Sequence, residues 1–232
     1  MFPLVLPSDQ DCSDYRANGF TVFPRFADVS EVDILTAEIE RLAASWTTES
    51  LFGCVRDRFG VPVVMNRLDK QSDVLYDLAR HPRLTLTAER LLGRAAISLH
   101  VEYFANTGTA VPAHQDHRSY YDHFRDEAAV ALWIALDDIQ ANSGGLEFGR
   151  PYHERLLPHV ESSAFHFDCE VASLEGLTFE RVQVERGGCI AHDSYSVHRT
   201  QPNTSGRPRR AVVFNYRSSS YRASQRAHQS PA

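Results

Sequence analysis

The segment HQDHRSYY, residues 114–121, places two histidines, one carboxylate and two tyrosines within eight positions. His114 and Asp116 are separated by one residue, and residues i and i+2 of an extended chain project to the same face. The two side chains can therefore bind one metal ion together. A third ligand must come from elsewhere in the chain, and the best candidate is His198 in the segment GGCIAHDSYSVHRTQ.

Two histidines and one carboxylate form the facial triad of non-haem Fe(II) oxygenases, which leaves coordination positions open. A 2-oxo acid can take two of those positions and O₂ a third. Asp116 also argues against a halogenase, because its carboxylate takes the position that a halide would need. The alternative interpretation is a solvated polar loop, since a chain with 11 histidines produces a His-x-Asp pattern by chance.

A cluster of arginines opens an apolar run soon after His198. Because Arg209 and Arg210 are adjacent, their side chains point to opposite faces of a strand, and only one can enter a pocket. A guanidinium group there can pair bidentately with a carboxylate. Arg207 lies before Pro208 and is expected to be solvated.

The chain resembles the phytanoyl-CoA dioxygenase-like family of Fe(II)/2-oxoglutarate-dependent oxygenases in three segments. These are HQDHRSYY, VALWIALDDIQANSGGLEFGRPYHE and GGCIAHDSYSVHRTQPNTSGRPRRAVVFNYR. With the strand before them they span residues 95–217 in the expected order, which is more specific than any one motif. The resemblance implies a double-stranded β-helix, a form of jelly roll. It also implies Fe(II), 2-oxoglutarate and O₂ as cofactor and co-substrates.

The resemblance assigns roles to individual residues. His114, Asp116 and His198 are the implied iron ligands and catalytic centre. Arg209 is the implied partner of the distal carboxylate of 2-oxoglutarate, and Thr200 corresponds to a hydroxyl position that assists there. The implied reaction oxidises, by hydroxylation in the first instance, an unactivated C–H bond and releases succinate and CO₂.

The substrate pocket is predicted from neighbouring residues. Trp133 stands where the family has an aromatic residue, and His117 and Tyr120 closely follow the metal-binding pattern. These three are predicted to contact a small molecule, either amino-acid-like or an intermediate of specialised metabolism. Tyr103, on the strand before the metal loop, is predicted to hydrogen-bond the co-substrate.

Several other histidines are not interpreted as metal ligands. His192 and Asp193 are read as supporting residues and not as ligands. His100 and Glu102 lie two apart on a strand but have no third ligand in order. The 151–185 segment is predicted to lie over the barrel mouth. Its histidines fit no metal template: His153, His159 and His166.

Two helical regions are predicted in the N-terminal part. Ser30 is the expected N-cap of an amphipathic helix over residues 29–45. Its apolar positions recur at helical spacing: Val32, Leu35, Ile39 and Leu42. Residues 72–92 predict further helix, interrupted near Pro82.

The character of the chain changes at about residue 95, where strands begin to dominate. Runs rich in β-formers are separated by turn residues: 95–104, 128–139, 179–185 and 210–217. Helices followed by strands predict a mainly β fold, an antiparallel jelly-roll or cupin-like core with a helical N-terminal layer. We expect one oxygenase domain over residues 1–217, with the layer at about 1–94 and the core at about 95–217. Residues 218–232 are predicted to be a mobile tail.

Composition limits the classes of partner. The chain has 232 residues and a net charge of −6, so it lacks the basic field expected of a nucleic-acid-binding protein. No apolar run reaches the roughly 20 residues of a spanning helix, so no membrane partner is expected. Four scattered cysteines without a Cys-x-x-Cys pair indicate free thiols and a cytoplasmic location.

Two rival functions stay open at this point. A cupin-like metalloenzyme that does not use 2-oxoglutarate would not need Arg209. A non-catalytic jelly-roll binding module would bind no iron and would tolerate the loss of His198.

Overall fold

The structure is a computed structural model that describes residues 6–46, 53–120, 129–151, 155–163 and 166–219. Tyr121, His153 and residues 220–232 of the predicted tail therefore lie outside the described residues. The helices are α1 (Asp9–Asn18), α2 (Val29–Ser45), α3 (Asp73–Leu78), α4 (Pro82–Leu92) and α5 (Asp116–Tyr120). Among the described residues, no helix combines the length and apolar character that crossing a membrane requires.

The strands are β1 (Phe20–Phe23), β2 (Cys54–Arg56), β3 (Pro62–Met65), β4 (Ala96–Asn106), β5 (Val111–His114), β6 (Ala129–Ala135), β7 (Leu146–Arg150), β8 (His159–Ser163), β9 (His166–Cys169), β10 (Thr178–Arg181), β11 (Cys189–Asp193), β12 (His198–Thr200) and β13 (Arg209–Ser218). The predicted β-rich runs correspond to β4, β6, β10 and β13.

The predicted helices are confirmed, with one correction at a cap. Helix α2 begins at Val29, and its N-cap is Asp28 instead of the predicted Ser30. The Asp28 carboxylate accepts a 2.9 Å hydrogen bond from the amide of Glu31, and the Glu31 carboxylate accepts one of 2.7 Å from the amide of Asp28. This reciprocal pair is a capping box. Pro82 is the first residue of α4, where its missing N–H costs nothing.

The strands form two antiparallel sheets that face each other. The larger sheet has the order β1-β11-β6-β13-β4-β3-β2, and the smaller has the order β10-β7-β12-β5. Strands β8 and β9 form a separate hairpin. This is the predicted mainly β, jelly-roll fold. The N-terminal segment is less purely helical than predicted, because β1, β2 and β3 extend the larger sheet at both edges.

Strand alternation separates two layers of core. On β13, Val212 and Phe214 pack with the helices, while Ala211 and Val213 face the smaller sheet. Residues of all four longer helices, α1 to α4, join the first layer. The helices therefore cover one face of the larger sheet and leave its other face to build a site between the sheets.

Candidate active site

The three predicted metal ligands come together where the smaller sheet ends. His114 is the last residue of β5, and His198 is the first residue of β12. The two strands pair antiparallel with these histidines opposite each other, so their ring centroids lie 4.2 Å apart. Asp116 opens α5 two residues after His114. Sheet pairing and the start of one helix thus bring together residues up to 84 positions apart in sequence.

The donor atoms of the three side chains converge on one point. Oδ1 of Asp116 lies 3.6 Å from Nε2 of His114 and 3.6 Å from Nε2 of His198. One ligand atom from each residue lies within 4.8 Å of the others. Two imidazole nitrogens and one carboxylate oxygen are the donor set that Fe(II) takes in non-haem oxygenases. The residues present therefore fit a divalent iron ion.

Backbone carbonyls fix the orientation of both imidazoles. Nδ1 of His114 lies 2.8 Å from the carbonyl oxygen of Pro112, and Nδ1 of His198 lies 3.0 Å from that of Ser196. A carbonyl oxygen can only accept, so each Nδ1 carries the proton. In the neutral imidazole, Nε2 then carries the lone pair that a metal-binding histidine needs.

The triad lines a cavity of about 530 Å³ between the two sheets. Its wall also includes three residues predicted for cofactor or substrate binding: Trp133, Thr200 and Arg209. His114 and His198 are buried, and Asp116 is partly exposed. The cavity lies within the range of volumes that hold small ligands in proteins.

Arg209 is a buried cation with free donors. It is only 4% exposed, and its guanidinium carbon lies 5.2 Å from the centroid of the Trp133 ring. Its Nε donates a 3.1 Å hydrogen bond to the carbonyl oxygen of Gly144. Within the described residues its terminal nitrogens make no hydrogen bond, and no carboxylate forms an ion pair with it. Burial lowers its pKa to about 10, against the opposing effects of Tyr103 and Asp137, so it stays charged at neutral pH.

Thr200 and Asn106 flank this arginine. Asn106 lies opposite Arg209 in the pairing of β4 with β13, and both residues line the cavity. Thr200 Oγ1 accepts hydrogen bonds from the amide of Val111 at 3.0 Å and from the side-chain amide of Asn106 at 3.4 Å. Asn106 was not predicted from the sequence, because only its pairing with Arg209 places it in the cavity.

The neighbouring arginines behave as predicted. Arg210 points to the other face of β13, where Nε and Nη2 donate to the carboxylate of Asp137 at 3.0 and 2.8 Å. Arg207 is exposed. Only Arg209 of this cluster lines the cavity.

His192 lies beside the triad without belonging to it. It lines the cavity from β11, and its Nδ1 is 3.9 Å from Oδ2 of Asp116. Burial is the main cause that places its pKa well below the ordinary value for histidine, which favours its neutral form. Asp193 has a structural position, since its carboxylate accepts the amide of Tyr195 at 2.8 Å.

The structure contradicts the predicted role of Tyr103. This side chain is buried in the layer that faces the helices, with Val212 as its partner on β13. It does not line the cavity. The physical reason is the register of β4, which turns Glu102, Phe104 and Asn106 to the cavity and the residues between them away.

His117 is also misplaced by the prediction. It is 1% exposed and is held by Ser194 and Tyr195, whose hydroxyl lies 3.0 Å from His117 Nε2. Its ring stacks on that of Tyr195 with centroids 4.0 Å apart, and it does not line the cavity. The chain enters α5 at Asp116, so strand alternation no longer applies to residue 117. The side chain of Tyr120 lies outside the described residues.

Glu102 was interpreted as structural, yet it lines the cavity. It is 5% exposed and accepts a 3.1 Å hydrogen bond from the side-chain amide of Asn215. His100 Nε2 lies 3.3 Å from the same carboxylate oxygen. The sequence could not separate a cavity carboxylate from a structural one without the pairing of β4 with β13.

The 151–185 segment is not part of the cavity wall in the structure's described portion. Its β9 strand contacts β5 and α5, which carry two of the triad residues. His159 Nδ1 lies 2.6 Å from the carbonyl oxygen of Leu157, and its Nε2 lies 3.5 Å from Sγ of Cys169. The described part of this segment supports the metal loop from outside and does not line the mouth.

Comparison with known proteins places these features in a family. The model of the family described as phytanoyl-CoA dioxygenase (PhyH) matches residues 15–211. A methylphosphonate hydroxylase of Gimesia maris is 29% identical over 215 residues, which are 90% of this chain and 80% of that protein. An ectoine dioxygenase of Nocardia farcinica is 26% identical over 230 residues, covering 89% of this chain and 77% of that protein.

Solved structures share the fold. EvdO2 from Micromonospora carbonacea var. aurantiaca, in complex with 2-oxoglutarate, superposes with a TM-score of 0.74. The match covers 94% of each chain at 22% sequence identity. At that identity the likeness concerns the fold, and the chemistry of the site rests on the residues described above.

Proposed function

Because this chain belongs to the phytanoyl-CoA dioxygenase (PhyH) family, we propose that it is an Fe(II)/2-oxoglutarate-dependent dioxygenase. The proposed reaction hydroxylates an unactivated C–H bond of a small molecule and releases succinate and CO₂. The observation that carries the proposal is that one cavity contains both a His-Asp-His triad and a buried arginine with free donors. A metal site alone would not require that arginine.

His114, Asp116 and His198 would hold the iron ion. Their three donors leave other coordination positions to 2-oxoglutarate and O₂. When bound, iron and 2-oxoglutarate supply the O₂-dependent oxidising power that removes hydrogen from carbon. The protein's own contribution is to hold ligands and substrate in place and to keep the site enclosed.

Arg209 would bind the distal carboxylate of 2-oxoglutarate. A charged guanidinium without an internal carboxylate partner is costly to bury, so an incoming carboxylate compensates for a cost already present in the protein. Thr200 adds a hydroxyl beside it, and the Trp133 ring supports the guanidinium from the side. Gly144 accepts from Nε and so leaves the terminal nitrogens for the ligand.

The remaining cavity volume suits a small substrate. About 530 Å³ must accommodate both 2-oxoglutarate and the molecule to be oxidised, which excludes a macromolecule inside the cavity. Relatives named for methylphosphonate and ectoine support a small, polar substrate. We assign residues 1–217 to one oxygenase domain in the cytoplasm, an assignment that the free thiols of Cys12, Cys54, Cys169 and Cys189 support.

The test is succinate release from protein loaded anaerobically with Fe(II) and 2-oxoglutarate and then exposed to O₂. Even without substrate, we expect slow turnover by the wild type and none by His198→Ala, which should also bind less iron. Arg209→Ala should need about 10- to 100-fold more 2-oxoglutarate, because a charged hydrogen-bonding pair is lost. Arg207→Ala removes an exposed arginine two residues away and is the matched control.

Other outcomes identify the rivals. Iron binding without succinate in any sample would favour the cupin-like metalloenzyme. An unchanged requirement for 2-oxoglutarate in Arg209→Ala would remove the arginine's proposed role. Absence of iron binding in the wild type would favour a non-catalytic binding module.

A further inference from the structure

The cavity contains a buried carboxylate that the iron and 2-oxoglutarate do not account for. Glu102 lies on β4, four residues before Asn106 and on the same face, which lines the cavity. Its partner across β13 is Val213, which in turn pairs with Trp133 on β6. Glu102 therefore lies in the same cross-strand row as Trp133, a residue of the cavity wall. Along the strands, this row lies between the row of Arg209 and the row of His192.

Only one oxygen of this carboxylate is occupied within the protein. Asn215 donates to Oε2, and His100 Nε2 lies near the same atom. Oε1 makes no hydrogen bond to any residue in the described parts of the chain. Because Glu102 lines the cavity, Oε1 is a carboxylate oxygen that can accept a hydrogen bond from a ligand in the cavity.

The other charged residues of the cavity wall are either more exposed than Glu102 or already assigned to the metal and 2-oxoglutarate. Arg56 donates to the carbonyl oxygens of Gly60 and Ala43, and the Asp57 carboxylate accepts the amides of its own hairpin turn. Asp116 and Arg209 face the metal and 2-oxoglutarate in the proposed function. Glu102 is thus the charged group in the described wall that is left to meet the substrate.

We propose that Glu102, held by Asn215, binds a cationic nitrogen of the substrate, which makes the substrate class small molecules that carry an amine or amidine group. This inference rests on the proposed function, since it names what occupies the cavity beside 2-oxoglutarate. A carboxylate in an enclosed site attracts a cation strongly and repels an anion, so it selects by charge. The Glu102 carboxylate therefore disfavours substrates whose only charged group is anionic, such as a simple alkylphosphonate.

The test uses three sets of probes of matched size. These are short primary amines and amino acids, their N-acetyl derivatives, and alkylphosphonates. Binding to protein loaded with Fe(II) and 2-oxoglutarate is measured by calorimetry without O₂, and stimulation of succinate release is measured after O₂ is added. We expect members of the amine set to bind and to raise succinate release, and their N-acetyl partners to bind at least about tenfold more weakly.

Variants of Glu102 connect the preference to this residue. Glu102→Gln keeps the shape and should weaken amine binding about 10- to 100-fold, while the much weaker binding of N-acetyl partners changes little. Glu102→Asp keeps the charge and should retain the order of preference at lower affinity. Glu180→Gln removes an exposed carboxylate, paired with Arg150 outside the cavity, and is the matched control for net charge.

Three results would overturn the inference. They are a preference for neutral or anionic probes, amine binding by Glu102→Gln equal to that of the wild type, and no response to any amine from a protein that releases succinate without substrate. Failure of the proposed function has a different signature, namely no iron-dependent succinate in any sample. Calorimetry still reports amine binding in that case, so the two failures are distinguishable.

Discussion

Arg209 and Gly144 are joined by a 3.1 Å hydrogen bond from the guanidinium Nε to the glycine carbonyl oxygen. Gly144 precedes β7 of the smaller sheet, while Arg209 begins β13 of the larger one. The bond therefore connects the two sheets at the end of the cavity where 2-oxoglutarate is proposed to bind. It fixes one nitrogen of the arginine and leaves the terminal pair for a carboxylate.

Gly144→Ala tests this connection. Gly144 has φ +70°, and a Cβ there would lie 2.9 Å from the carbonyl oxygen of Gln201 and would collide with the side-chain amide of Asn106. We expect a loss of about 1–3 kcal/mol in the free energy of unfolding, measured with urea. We also expect a higher KM for 2-oxoglutarate, because the displaced turn no longer holds Arg209.

Gly206→Ala is the matched control. Gly206 has a similar φ of +76°, but a Cβ there would meet no atom within 4 Å. It should show the cost of the left-handed backbone alone and leave the KM for 2-oxoglutarate unchanged. Equal effects of the two substitutions on KM would contradict the role given to Gly144.

Tyr103 and Thr200 provide a second comparison. Tyr103→Phe removes a hydroxyl on the helix-facing side of β4, so we expect the KM for 2-oxoglutarate to stay within about twofold of the wild type. Thr200→Val removes a cavity hydroxyl that accepts the amide of Val111 at 3.0 Å. It should raise the KM for 2-oxoglutarate about 5- to 30-fold, because the loss of one hydrogen bond costs about 1–2 kcal/mol. Steady-state succinate release measures both, and a larger effect of Tyr103→Phe would reverse the assignment.

The contrast between these residues shows where sequence reasoning succeeds. The spacing of His114 and Asp116, and the resemblance of the segment around His198, were sufficient to predict the three residues that converge in the structure. Opposite faces for Arg209 and Arg210 follow from strand alternation alone. The pairing of His114 with Asp116 and the opposite faces of the two arginines use local geometry that the chain carries within a few residues, whereas His198 was predicted from the family resemblance.

The incorrect predictions concern residues whose positions depend on pairing between distant strands or on where a helix begins. The pairing of Asn106 with Arg209 determines which face of β4 lines the cavity, and it places Glu102 inside and Tyr103 outside. His117 does not line the cavity, because the chain becomes helical at Asp116. Strands β1, β2 and β3 have only three or four residues each, and they form because the edges of the larger sheet are available to them.

The cap of helix α2 gives a third prediction. Asp28 accepts the amide of Glu31, whereas Ser30 is exposed and donates its hydroxyl to Asp28. Asp28→Ala should therefore lower the melting temperature by about 2–4 °C, and Ser30→Ala by less. Differential scanning calorimetry of the two variants at neutral pH decides between these caps. A larger loss for Ser30→Ala would restore the N-cap predicted from the sequence.

Glu147 is the centre of an ionic network on the smaller sheet and should make the protein sensitive to acid. Its buried carboxylate accepts hydrogen bonds from Arg181 at 2.8 and 2.9 Å, from Arg199 at 2.9 Å and from Gln201 at 3.1 Å. Burial acts to raise its pKa, but the bonds from Gln201, Arg181 and Arg199 outweigh burial and hold the pKa below its usual range. The folded state therefore favours the ionised carboxylate more than the unfolded state does.

A depressed carboxyl pKa fixes the sign of the pH dependence. The stabilisation is complete above the pKa of the unfolded chain, about 4.3, and is lost as pH falls through the lower pKa of the folded state. Because both arginines are about one-third exposed or more, solvent screening limits the effect, and we expect Glu147→Gln to cost about 1–2 kcal/mol at pH 7. Urea unfolding of both proteins from pH 7 to pH 3 should show this difference shrinking below about pH 4. A difference that stays constant down to pH 3 would mean that Glu147 stabilises the sheet by packing and not by its charge.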